Sequence, residues 1–146
     1  MVFTAFDPLR GRKGELTRVD IPRSHPAFWD LSNDERWIAF GTTEETSGRI
    51  RLLSLTGQPS REITVGKWTN LSSVAWAPDG KTLFVTGWAS KKPPLLRVSL
   101  SGDAQLLYSG TYYLEDPVPS PDGRYLAFGD VSLDGNAWLI ESPGSR

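Results

Sequence analysis

The chain has 146 residues and nearly balanced charge, with 16 Lys and Arg against 17 Asp and Glu. That size bounds it to one ordinary domain, and the balance excludes the basic excess of a nucleic-acid binder or a polybasic membrane clamp. With no Cys and a single His, a disulfide framework, a thiolate zinc site, a cysteine nucleophile and a histidine-rich metal site are excluded as well.

Residues 1–7 carry no basic n-region and no long apolar core, so they do not read as a signal peptide. Nowhere does an apolar run approach the ~18 residues of a membrane span, and no membrane insertion is expected. Residues 3–7 and 15–20 read as two strands. A third strand covers 26–30 and leads into the turn Ser32-Asn33-Asp34-Glu35. Glu35 is a poor residue for a left-handed conformation, so this turn is expected to differ in type from those that follow. Strands at 36–41, 49–55 and 61–65 come next. Trp37-Ile38-Ala39-Phe40 is continuously apolar, which signals a strand buried on both faces. Arg61-Glu62-Ile63-Thr64-Val65 is polar and charged, as an outer strand that resists edge pairing should be.

The pattern then starts again. Strands are expected at 72–77, 82–87, 95–100 and 104–108, with Pro78-Asp79-Gly80 as the first turn. It starts a third time with 116–120, the turn Pro121-Asp122-Gly123, 125–129 and 136–141. Pro suits the first central position of such a turn, and Gly accepts positive φ. Asp34, Asp79 and Asp122 recur at about 43–45 residues, and Gly57, Gly102 and Gly144 recur with the same period. Four short strands per repeat of roughly 40–45 residues is the mark of a propeller blade. The expected fold is therefore all-β: a β-propeller of four-stranded antiparallel blades. Residues 1–22 supply the last two strands of a blade, 23–66 and 67–110 are complete blades, and 111–146 supply three strands of another. That is roughly three and a half blades, below the usual four to eight of a closed ring. The expectation is a partial ring, completed by further blades or by homo-oligomerisation.

At Ser120-Pro121-Asp122-Gly123-Arg124-Tyr125-Leu126-Ala127-Phe128, and again at Ala77-Pro78-Asp79-Gly80-Lys81, the chain resembles the TolB-like propeller repeat of bacteria. The ending, Asp134-Gly135-Asn136-Ala137-Trp138-Leu139-Ile140-Glu141, resembles the last blade of bacterial TolB-like sensor and regulator proteins. The resemblance implies a binding role, often toward another protein and outside the cytoplasm. The same repeat occurs in the propeller domains of prolyl-oligopeptidase-type peptidases. A gating propeller fragment of such an enzyme is therefore the alternative, and an evolutionary or engineered half-propeller with no activity beyond assembly is a third reading.

No catalytic set is expected. His25 is the only ordinary base candidate, and no G-x-S-x-G elbow accompanies it. Of the adjacent acidic pairs, Glu44-Glu45 falls in an expected loop and Glu115-Asp116 at the entry to the strand expected at 116–120, and neither is read as a catalytic pair. Asp34, Asp79 and Asp122 lie a blade apart, too far to share an ion, and turn chemistry explains them. Neither a metal nor a cofactor is expected. Trp37, Phe40, Phe84, Tyr125 and Phe128 recur in phase and are expected in the core. His25, Trp68, Asn70, Trp88, Tyr112 and Tyr113 fall instead in loops joining successive blades or the second and third strands of a blade. In a four-stranded meander those loops share one end. This end is the candidate surface for a protein or peptide partner, because Trp and Tyr dominate binding hot spots.

Overall fold

The computed structural model describes residues 1–21, 26–43, 48–88 and 91–132. Over these residues the chain is built of strands alone. No helix is long and apolar enough to cross a membrane. The hairpin β1 (Val2–Asp7) and β2 (Arg12–Arg18) comes first. Two four-stranded antiparallel meanders follow: β3 (Ala27–Leu31), β4 (Trp37–Thr42), β5 (Arg49–Ser54), β6 (Arg61–Thr64), then β7 (Leu71–Trp76), β8 (Thr82–Gly87), β9 (Pro94–Ser99), β10 (Ala104–Ser109). The antiparallel pair β11 (Tyr113–Pro119) and β12 (Leu126–Val131) ends the described part. Each strand pairs with its neighbour in sequence, and β7 packs against β3, β4 and β11. The all-β reading and the four-stranded blades are those expected. The strand expected at 136–141 lies outside the described residues.

The apolar runs of the second strands have a simple cause. In β4, Ile38 and Phe40 join Phe3 and Leu53 in one core, while Ala39 belongs to another with Leu52, Val74, Leu83 and Val85. Alternate side chains thus enter two different inter-sheet layers, so polar residues fit on neither face. In β8, Leu83 and Val85 are fully buried on one face, and on the other the buried Thr86 is satisfied by hydrogen bonds with Ser72 and Ser73. A polar contact joins the two meanders: Asp30 Oδ2 accepts the Trp76 N–H at 2.7 Å.

Three expectations need correction. The first concerns the turn at Glu35, which is not of a different type. Glu35 adopts φ 58°, beside 63° at Gly80 and 71° at Gly123, and its N–H donates to Ser32 O as those of Gly80 and Gly123 donate to Ala77 O and Ser120 O. Side-chain bonds hold the non-glycine residue there. Ser32 Oγ accepts the Trp37 N–H at 2.9 Å and donates to Asp34 Oδ1 at 2.6 Å. Glu35→Gly should therefore stabilise the fold by about 0.5–1 kcal/mol. The left-handed conformation costs a residue with a Cβ roughly 1–2 kcal/mol, and glycine's larger unfolded-state freedom offsets part of the gain. A urea midpoint that fails to rise would contradict this.

The second correction is that β11 begins at Tyr113, three residues before the expected start. A register irregularity between Glu115 and Val118 absorbs Asp116, at φ 46°, and Pro117, which has no N–H for the ladder. Third, Tyr125 is not core. It precedes β12, is 68% exposed, and carries the Arg124 guanidinium 5.6 Å from its ring centre. Phe40 is buried as expected, whereas Trp37, Phe84 and Phe128 are half-buried.

Candidate binding surface at the loop end

Trp88 leaves the end of β8, and its N–H donates to Asn70 O at 2.7 Å. Asn70, at φ 54°, closes the connection from β6 to β7. This bond joins the two kinds of loop that were expected to share an end. The Trp88 indole then stacks on Tyr113, the first residue of β11, with centroids 5.3 Å apart and planes within 7°. Tyr112 meets Tyr113 edge-on at 5.8 Å. Trp88 is 50% and Tyr112 48% exposed, so the stack presents aromatic surface to solvent.

The segment carrying the tyrosines is held from below by Asp130. Its Oδ1 accepts the Thr111 N–H at 3.1 Å and its Oδ2 accepts the Tyr108 hydroxyl at 2.8 Å. That bond to a carboxylate raises the Tyr108 pKa above the ordinary phenol value. Gly110 N–H adds a bond to Pro93 O at 2.9 Å.

Of the six residues singled out from sequence, Asn70, Trp88, Tyr112 and Tyr113 are brought together. Trp68 takes another direction. It is half-buried against the core shared by the two meanders, with the Lys67 ammonium 5.6 Å from its ring. His25 and the Glu44-Glu45 pair lie outside the described residues. Glu115 lies inside β11 together with Asp116, rather than ahead of the strand.

A second feature was not anticipated. The first strands of three sheets, β3, β7 and β11, converge on an open cleft of about 590 Å³. Trp29, Asp30, Ser72, Asp116 and Val118 are among its walls. Ser72 and Ser73 each hydrogen-bond Thr86, at 2.9 and 2.6 Å, which firms the β7 wall. The sequence held a signal for the cleft: the strand assigned first in every repeat lies innermost in a propeller.

The recurring aspartates are structural within their own turns. The Ser32 hydroxyl and then the Arg36 N–H hold the Asp34 carboxyl below its usual pKa, and Ser120 and Arg124 do the same for Asp122. The Lys81 N–H leads for Asp79. Among the described residues, no three His, Cys, Asp or Glu side chains come together as a metal site would need.

No protein-family model and no curated protein matches the chain. Among solved structures, it is similar to the crystal structure of TolB from Acinetobacter baumannii, with a TM-score of 0.64 and 16% sequence identity. The match covers 87% of this chain and 34% of that one, so the chain spans about a third of the length of the structure it resembles. Two four-stranded antiparallel sheets, preceded and followed in the chain by antiparallel strand pairs and superposing on TolB over most of this chain, give the described residues a TolB-like fold, a partial β-propeller.

Proposed function

We propose that this chain is a non-catalytic interaction module that binds a protein or peptide through the loop end built on Trp88, Tyr112 and Tyr113. The stacked, half-exposed Trp88–Tyr113 pair carries this reading. Rigid aromatic rings held open to solvent offer a large contact area, and little side-chain freedom is lost when a partner covers them. The hydrogen bonds from Trp88 N to Asn70 O and from Thr111 N to Asp130 preorganise the surface. Completion of a ring by further blades or further copies is a second reading. It is favoured by Val118 and Tyr125, which are 61% and 68% exposed at the last described sheet.

The test is affinity for a partner identified by cross-linking to the intact chain. Trp88→Ala and Tyr112→Ala should each weaken binding by about tenfold to thirtyfold, the scale of a hot-spot residue losing roughly 1.4–2 kcal/mol. A partner bound equally well by both variants would remove this surface from the proposal.

A further inference from the structure

The loops that meet at the aromatic end differ in charge from the rest of the chain. Residues 66–70, 88–93 and 110–113 contain Lys67, Lys91 and Lys92 and no Asp or Glu, in a chain whose formal net charge is −1. Lys91 and Lys92 are both exposed and follow Trp88 in the connection from β8 to β9. The Pro93 carbonyl beside them accepts the Gly110 N–H at 2.9 Å, and Gly110 leads through Thr111 to Tyr112. The two lysines are thereby fastened to the segment that carries the tyrosines. Lys67 stands in the loop of Asn70, over the Trp68 ring at 5.6 Å. Of the carboxylates beside these loops, Asp130 is taken up by Thr111 N–H and the Tyr108 hydroxyl, and Glu115 lies within β11 opposite Gly129. Backbone preference does not account for Lys92, which adopts φ 58°, a conformation that glycine takes more easily.

We propose that the partner of this surface is an acidic peptide segment. Its apolar or aromatic residue packs on Trp88 and Tyr112, and its Asp or Glu side chains face Lys91 and Lys92. This partner chemistry rests on the interaction role proposed above. An apolar centre within a polar, solvated rim is the ordinary anatomy of a binding patch. The two parts act on different rates. Covered aromatic rings must be returned to water when the peptide leaves, so Trp88 governs dissociation. Exposed lysines act at a distance and are screened by salt, so they govern association. A single-stranded nucleic acid also combines stacking with cations, but it needs a positive groove that tracks its backbone. Here the strand that continues from the tyrosines presents Glu115 and Asp116 instead.

A displayed library of random peptides, about twelve residues long, is selected on the intact chain. Enriched peptides should carry net negative charge. Selection on Trp88→Ala should enrich none of them, and selection on the double variant Lys91→Glu, Lys92→Glu should lose the acidic bias. The tightest acidic peptide should associate about tenfold more slowly with the double variant, while its dissociation rate changes less than about twofold. Lys91→Arg with Lys92→Arg should bind as the parent does, and the near-ultraviolet circular dichroism of the Trp88–Tyr113 stack should be the same in both lysine variants. Neutral or basic peptides that depend on Trp88 would overturn the acidic partner and leave the interaction role standing. So would acidic peptides whose association rate ignores the lysine reversal. Peptides indifferent to Trp88, or none enriched on the parent, would overturn both. An oligothymidylate strand bound more tightly than every selected peptide would give the surface to nucleic acid and overturn the peptide partner.

Discussion

Phe40→Ala should cost the fold about 3–5 kcal/mol, a large share of the roughly 5–15 kcal/mol that holds a domain together. Phe40 is 1% exposed. Its ring meets Phe3 edge-on at 6.1 Å, and Phe3 in turn meets Trp29 at 5.2 Å. Truncation therefore opens a cavity between the β1–β2 hairpin and the first meander, where Ile38 and Leu53 already fill the space and cannot collapse inward. Phe128 stands at the corresponding place in the third repeat but is half-buried, its ring tilted against Tyr108 at 5.3 Å. Phe128→Ala should cost about half as much, in proportion to the smaller apolar area it removes from water. Urea midpoints of the two variants make the comparison, and equal losses would contradict the packing described.

Among the described glycines, Gly48→Ala should be the most damaging alanine substitution, at about 3 kcal/mol. A Cβ on Gly48 would overlap the Trp68 carbonyl oxygen, which is backbone and has no rotamer to escape into. The surroundings are tied on both sides, since Val65 N–H donates to Gly48 O at 2.8 Å and Trp68 N–H donates to Val65 O at 2.9 Å. Relief must come from shifting the segment that ends in Asn70, whose carbonyl holds Trp88. The variant should thus lower the urea midpoint and also weaken the near-ultraviolet circular dichroism of the Trp88–Tyr113 stack. Gly14→Ala is the control, because a Cβ there meets nothing within 4 Å. If both substitutions leave the protein equally stable, the close approach at Gly48 is not a constraint.

Local chemistry explains which features could be read from the residues. The Pro-Asp-Gly turns and the apolar second strands depend on neighbours a few positions away, and both appear where the repeat places them. The errors arise where side-chain contacts, near or far in the chain, override a residue's own preference. Glu35 reads as unfit for positive φ, yet the Ser32 and Asp34 side chains secure the turn around it. Tyr125 shares the aromatic character of Trp37, but Trp37 packs against the core shared by the two meanders while Tyr125 stays exposed. The charge that protects β6 does not recur on β10, although the two strands hold the same place in their repeats.

The residues alone determine the repeat, its strand phase and its turn positions, because a period of two and the φ preferences of Pro, Gly and Asp act within a few bonds. They also place Asn70, Trp88 and Tyr112 outside the strands. The tertiary structure alone decides that Trp88 stacks on Tyr113, that Trp68 turns toward the core, and that β3, β7 and β11 enclose one cleft. These residues stand tens of positions apart in the chain. What brings them together is the packing of one twisted sheet on the next, a geometry set by the side chains between the sheets rather than by any local preference.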